Sequence, residues 1–238
     1  GWWAERKRQW IALGIKSEIG RGENLLGMSD TMLEPDPERR ARGLLFKNQT
    51  GFMAEEIEKR GGGTSIFDPV LTELCYRWFC PPGGQILDPF AGGSVRGVVA
   101  SALGRQYDGI ELRTEQVAAN EVQADELCDE PRPRWHNGDS LDMDDIVGDL
   151  QADFIFSCPP YADLEVYSDD PRDLSTMEYA DFREAYYQII KLACDRLADN
   201  RFAAFVVGEV RGEPGGAYIN FVADTIDAFR SAGLHYYN

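Results

Sequence analysis

The sequence predicts an α/β protein with a mainly parallel sheet, helices on both of its faces, and an N-terminal helical extension. The first observation is that, from residue 65 onward, short near-continuous apolar runs alternate with longer stretches of helical period. Strands buried on both faces carry such unbroken apolar runs, and their alternation with helices specifies parallel crossover units. The second is size: 238 residues, 43% of them hydrophobic, suffice for one substantial core. The chain therefore divides into an extension over 1–63 and a main domain over 64–238.

In chain order, "WWAERKRQWIALGI" spaces Trp3, Trp10 and Leu13 near a helical period, with Arg6, Lys7 and Arg8 between them. Aromatic stripes of this kind are usually core, so a helix packing on the domain is expected over a nucleic-acid arm. "SDTMLEPDPERRARG" is expected as a loop, interrupted by Pro35 and Pro37, and "NQTGFMAEEIEKRGGG" as a short helix stopped by glycines. The domain should then run helix 69–79, strand 85–87, helix 94–103, strand 106–110 and helix 114–127. A short strand near 134–136, a helix near 142–150, strand 153–157, helix 179–197, strand 202–207 and helix 219–232 complete it.

Composition excludes several classes. Five scattered cysteines without a Cys-x-x-Cys pair, and only two histidines, argue against a disulfide framework or a zinc site. A net charge of −17 argues against holding nucleic acid by bulk electrostatics. The first 60 residues are nearly balanced, with 11 basic and 10 acidic side chains, so the domain carries almost all of this acidity. No apolar run spans a bilayer and no basic-then-apolar leader opens the chain, which points to a cytoplasmic protein with no membrane contact.

Ligands of such sheets bind beyond the strands' C-terminal ends, where the strand order reverses. "QILDPFAGGSVRG" places Asp88 at the first of these ends, followed by a glycine turn and a helix N-terminus; it lacks the Gly-Lys-Ser/Thr ending of a phosphate-binding loop. "YDGIELR" ends the second strand on Glu111, placed to accept both hydroxyls of a ribose, and "WHNGDSLD" ends the third on Asp139, placed to receive an adenine amino group. "DFIFSCPPYADLEVYS" ends the fourth on Cys158, Pro159, Pro160 and Tyr161: two prolines remove two donors, stop strand pairing and fix one rigid corner. The acidic loop beyond it holds Tyr167 and Arg172 and is expected as a solvated loop or a lid. Glu209 and Arg211 should end the fifth strand facing the same crevice.

The elements "DPFAGGS", "GIEL", "GDS" and "CPPY", with "TSIFDPVLTELCYRWF" ahead of them, resemble class I S-adenosylmethionine-dependent methyltransferases. Within these the likeness is to the prophage-type DNA amino-methyltransferases that act on cytosine N4 or adenine N6, over roughly residues 64–210. The resemblance implies a Rossmann-like methyltransferase fold and S-adenosyl-L-methionine as cofactor. It implies that Asp88, Phe90, Ala91 and Gly92 line the methionine and ribose side, Glu111 the ribose and Asp139 the adenine. Phe67 and Asp68 would close the methionine end, with Ser157 beside them. Cys158, Pro159, Pro160 and Tyr161 would form the catalytic corner, Tyr161 stacking on a base flipped from a duplex or taken from a single strand. No metal is required.

The same resemblance implies further strands after "GLHYYN", so the domain is expected to be incomplete at its C-terminus. One departure bears on chemistry: the group carries Asp, Asn or Ser where this chain has Cys158, and sulfur is a weak acceptor. Three readings therefore stand beside amino methylation of DNA. In one, Cys158 is a nucleophile adding to a pyrimidine so that C5 is alkylated, with Glu165 as a nearby acid. In another, the substrate is an RNA base. In the third, the chain is a non-catalytic cofactor-binding subunit of a modification complex. Oligomeric state is not legible.

Overall fold

The computed structural model describes residues 1–16, 67–160, 168–209 and 217–237. The expected loop and helix within 17–66, the proposed domain boundary, and Tyr161, Glu165, Tyr167 and Arg211 lie outside the described residues.

Helix α1 (Trp2–Ala12) precedes α2 (Pro69–Phe79), which begins where Asp68 caps it by accepting from the backbone N–H groups of Val70 and Leu71. Pro69 at the first helical position needs no hydrogen-bond partner for the donor it lacks. The domain continues through β1 (Gln85–Asp88), α3 (Val95–Ala102), β2 (Gln106–Glu111), α4 (Thr114–Leu127) and β3 (Arg134–Asn137). A 3-10 turn (Ser140–Asp142) leads into α5 (Met143–Val147), then β4 (Ala152–Ser157), a second 3-10 turn (Leu174–Thr176), α6 (Tyr179–Cys194), β5 (Leu197–Phe205) and α7 (Phe221–Ser231).

The five strands are all parallel, in the order β3-β2-β1-β4-β5. The chain leaves β1 toward β2 and β3, then returns to the other side for β4 and β5. The order thus reverses between β1 and β4, where a doubly wound sheet opens its crevice.

Alternation along the strands divides the core. Ile86, Tyr107, Trp135, Phe154 and Phe156 meet α1 to α4 on one face, while Leu87, Ile110 and Ile155 meet α5, α6 and α7 on the other. Gly97 in α3 marks a close approach: a Cβ there would stand 2.3 Å from Trp135 Cζ2. Gly97→Ala should therefore cost roughly 1–3 kcal/mol through overpacking, despite the gain in helix propensity. A urea midpoint at or above wild type would contradict this.

The first helix docks on the domain as its aromatic stripe predicts. Trp10 is buried and donates to Glu73 Oε2 at 2.7 Å, and Arg6 donates to both Glu73 oxygens. Burial pushes the Glu73 carboxyl up, but the donors of Arg6, Trp10 and Arg77 outweigh it and hold it below the usual range.

Three boundaries differ most from expectation: α6, expected to run to 197, ends at Cys194. β5 begins at Leu197, five residues before the expected 202, and ends at Phe205. Residues 199–202 are exposed on an edge strand, where polar side chains are tolerated, and Asn200 at φ +57 accompanies a register shift against β4. The helix expected over 142–150 is confined to Met143–Val147, because Gly148 turns the chain at φ +55. Among the described residues, no helix is long and apolar enough to cross a membrane.

Candidate active site

A cavity of about 240 Å³ opens at the C-terminal ends of the strands around the switch point. Its β4 side is formed by Phe67, Arg96, Cys158, Pro159 and Pro160. Its β2–β3 side is formed by Glu111, Leu112, Gln116, Gly138, Asp139 and Ser140. Phe90 and Gly92 lie on the turn between.

That turn is held from several directions. Ala91 N donates to Ile110 O at 3.0 Å, Asn120 Nδ2 to Gly92 O at 2.7 Å, and Ser140 Oγ to Pro89 O at 2.6 Å. Gly92 sits at φ +52, a conformation open to glycine at no steric cost, and its N–H donates to Glu111 Oε2 at 2.9 Å. The other Glu111 oxygen accepts from Arg113 N at 2.9 Å. Both oxygens of one carboxylate are thereby fixed at the cavity wall.

Burial pushes the Glu111 carboxyl up. The two backbone donors and the Arg113 charge pull it back, and the nearby Asp173 carboxylate adds to the rise, leaving it above the usual glutamate value. Such a group is an acceptor pair with little water around it. On the β3 side Asp139 also lines the cavity, with Oδ1 accepting from Leu141 N to cap the 3-10 turn.

Of the residues singled out in the sequence, the structure brings Phe67, Phe90, Gly92, Glu111, Asp139, Cys158, Pro159 and Pro160 to this cavity. Asp88, Ala91 and Ser157 are buried beneath its wall. Asp88 Oδ1 accepts from Ser157 Oγ at 2.5 Å and Phe90 N at 3.2 Å, and Oδ2 from Arg96 Nε at 2.5 Å and Tyr107 Oη at 2.7 Å. Its carboxylate is thus committed to the protein, and its part in the site is to hold the turn. Asp68 caps α2 and meets Trp3 and Lys7 at 3.2 and 3.3 Å, away from the cavity lining. Glu209 is exposed beyond β5 and does not line it either.

The buried cation Arg96 was not singled out by its sequence position. Its signal is an arginine inside the otherwise small and apolar "SVRGVVA", in the first turn of a helix that packs on the sheet. Burial alone would lower its guanidinium, but Asp88 beside it more than offsets this and holds it charged. Arg172, named in the sequence as part of the acidic loop, lies at the far rim, and Asp173 beside it was placed there only by the fold. Cys75, Cys80 and Cys194 are pushed up by burial, to about 11, about 11 and about 12, which keeps them as thiols and inert.

The sheet order, the two-faced helical cover and the cavity at the switch point make this a doubly wound, Rossmann-like α/β fold of the kind that S-adenosylmethionine-dependent methyltransferases share. No family model matches the chain. Over 55 residues it is 40% identical to the Type II methyltransferase M.SmaI of Serratia marcescens; the match covers 23% of this chain and 19% of that protein's length. Among solved structures, it superposes on magnesium protoporphyrin IX methyltransferase (ChlM) from Synechocystis PCC 6803 with bound SAM. That likeness has a TM-score of 0.50, 15% identity, and covers 86% of this chain and 89% of ChlM. A TehB-like SAM-dependent methyltransferase from Corynebacterium glutamicum gives 0.49 at 16% identity, over 85% and 87% of the two chains.

Proposed function

We propose that the cavity binds S-adenosyl-L-methionine and that the chain transfers its methyl group to an exocyclic amino group of a DNA base, cytosine N4 or adenine N6. The supporting observation is that one cavity joins a carboxylate with both oxygens fixed, Glu111, to a rigid proline corner beyond β4.

The residues present fit this cofactor. Glu111 would accept the two ribose hydroxyls, Asp139 the adenine amino group, and Phe90 and Phe67 would provide apolar wall. When bound, the cofactor supplies an electrophilic methyl on a sulfonium. The corner at Cys158 and Pro159 would offer backbone carbonyls as acceptors for the target amine, turning its lone pair out of ring conjugation. Pro159 and Pro160 stiffen that seat, so positioning and orientation supply most of the rate. The short match to a Type II methyltransferase favours a nucleic acid over a small molecule as substrate. The DNA assignment rests on the resemblance of the Cys-Pro-Pro-Tyr and Asp-Pro-Phe elements, with Tyr161 as the stacking residue.

The test is titration of S-adenosylmethionine into the protein, then identification of labelled nucleosides from DNA and RNA incubated with labelled cofactor. N4-methylcytosine or N6-methyladenine from DNA is expected. Label in 5-methylcytosine would replace amino transfer with a Cys158 adduct mechanism, and label only in RNA would move the substrate class. Binding without any labelled nucleoside would leave a non-catalytic subunit.

A further inference from the structure

The guanidinium of Arg96 is the least expected group at the cavity. Its side chain is only 5% exposed, yet it lies in the wall that also holds Phe67 and Cys158. Nε is used by Asp88 Oδ2, and Nη2 by the carbonyls of Phe90 and Ala91 at 2.6 and 2.9 Å. The Phe67 ring covers the cation at 4.7 Å from its centroid. Nη1 has no acceptor among the described residues, nor is it sealed from solvent. A buried, immobilised cation thus keeps one open donor edge where it borders the cavity. A pre-oriented guanidinium edge bordering the cavity suits a ligand acceptor, and an anionic one is favoured most.

Building on the proposed function, we infer that Arg96 is a specificity-determining residue: Nη1 receives the carboxylate at the amino-acid end of the cofactor. The topology supports this end and not the other. Glu111 and Asp139 close the β2–β3 side with acceptors, suited to hydroxyl and amino donors, whereas Arg96 is a donor on the β4 side. The carboxylate is the one anionic group of S-adenosylmethionine. Its sulfonium and ammonium, and the target amine, all lack an anion to offer a guanidinium. Because Asp88 and two carbonyls fix the other donors, Arg96 is oriented before the ligand arrives, and little side-chain entropy is lost on binding. The site would then select nucleosides carrying an intact amino acid over those that lack its acid.

The experiment measures Kd by calorimetry for S-adenosylmethionine, decarboxylated S-adenosylmethionine and 5′-methylthioadenosine, with wild type and Arg96→Lys. Wild type should prefer S-adenosylmethionine over its decarboxylated form by roughly ten- to a hundredfold, as expected for a buried charge-assisted hydrogen bond. Arg96→Lys retains a charge beside Asp88 but loses the planar fork. Its preference should shrink to about threefold or less, with methylthioadenosine affinity little changed. Equal wild-type affinities for the first two ligands would overturn the inference without any variant. So would an Arg96→Lys protein that loses affinity for all three ligands equally, since that pattern marks a purely structural residue. Failure of all three to bind wild type would instead sink the cofactor reading, and this inference with it.

Discussion

Asp88→Asn is expected to be the most damaging single-atom change in the domain, lowering unfolding free energy by about 3–5 kcal/mol. The Asp88 carboxylate is fully buried and accepts from Arg96, Tyr107, Ser157 and the Phe90 backbone. An asparagine amide keeps the shape but presents N–H groups to a guanidinium that also donates. The Arg96 cation, itself buried, is left without its counter-charge, and this is the condition under which breaking a buried pair is strongly destabilising. Total stability of a domain is commonly only 5–15 kcal/mol, so Asp88→Asn should show a large fall in urea midpoint. The turn that carries Phe90 and Gly92 should loosen as well, since Asp88 and Arg96 are what hold Phe90 N, Phe90 O and Ala91 O. A variant within about 1 kcal/mol of wild type would show that the network contributes little net stability.

Glu111→Gln should have the largest effect on ligand affinity, weakening S-adenosylmethionine binding on the order of a hundredfold, about 3 kcal/mol. A glutamine can place one oxygen on either the Gly92 or the Arg113 N–H. Its amide nitrogen then faces the other donor, and one ribose hydroxyl loses its acceptor. A loss below about threefold would remove Glu111 from the binding role.

The same residue sets a pH dependence. The ionised carboxylate is the form that accepts two hydroxyls, so affinity should fall on acidification. Because burial holds Glu111 above the usual glutamate value of about 4.3, the fall should begin at higher pH than for an exposed glutamate, and Glu111→Gln should be flat there. In the free protein the sign is opposite. The folded state binds this proton more tightly than the unfolded chain, so the Glu111 contribution to stability is fully present below the unfolded value. It is lost as pH rises through the folded one. As pH rises across that window, calorimetric affinity should therefore increase while the urea-midpoint advantage of wild type over Glu111→Gln shrinks.

Much of the domain was legible from residue pattern. The helix at Pro69–Phe79 lies where its capping Asp68, its Pro69 and its apolar period put it, and Thr114–Leu127 falls on the expected bounds. The strand ends carrying Glu111 and Asp139, and the proline corner after β4, also converge on one cavity as their positions implied. The start of β5 was not legible, because an edge strand tolerates the polar run 199–201 that elsewhere signals a turn.

By itself the sequence determined the alternation of strands and helices, the parallel sheet that follows from unbroken apolar strands, and the set of polar residues delivered to the strand ends. Those are local properties, fixed by period, turn chemistry and the absence of a donor at proline. Tertiary structure alone decided which of these residues face the cavity. Asp88 and Glu111 are both carboxylates ending adjacent strands, yet one is turned inward and closed off by four donors while the other is held at the wall. That division depends on Arg96, Tyr107 and Ser157 arriving from three separate elements, and sheet order brings them to Asp88. A strand position fixes where a carboxylate is delivered, whereas its exposure depends on what the rest of the chain packs around it.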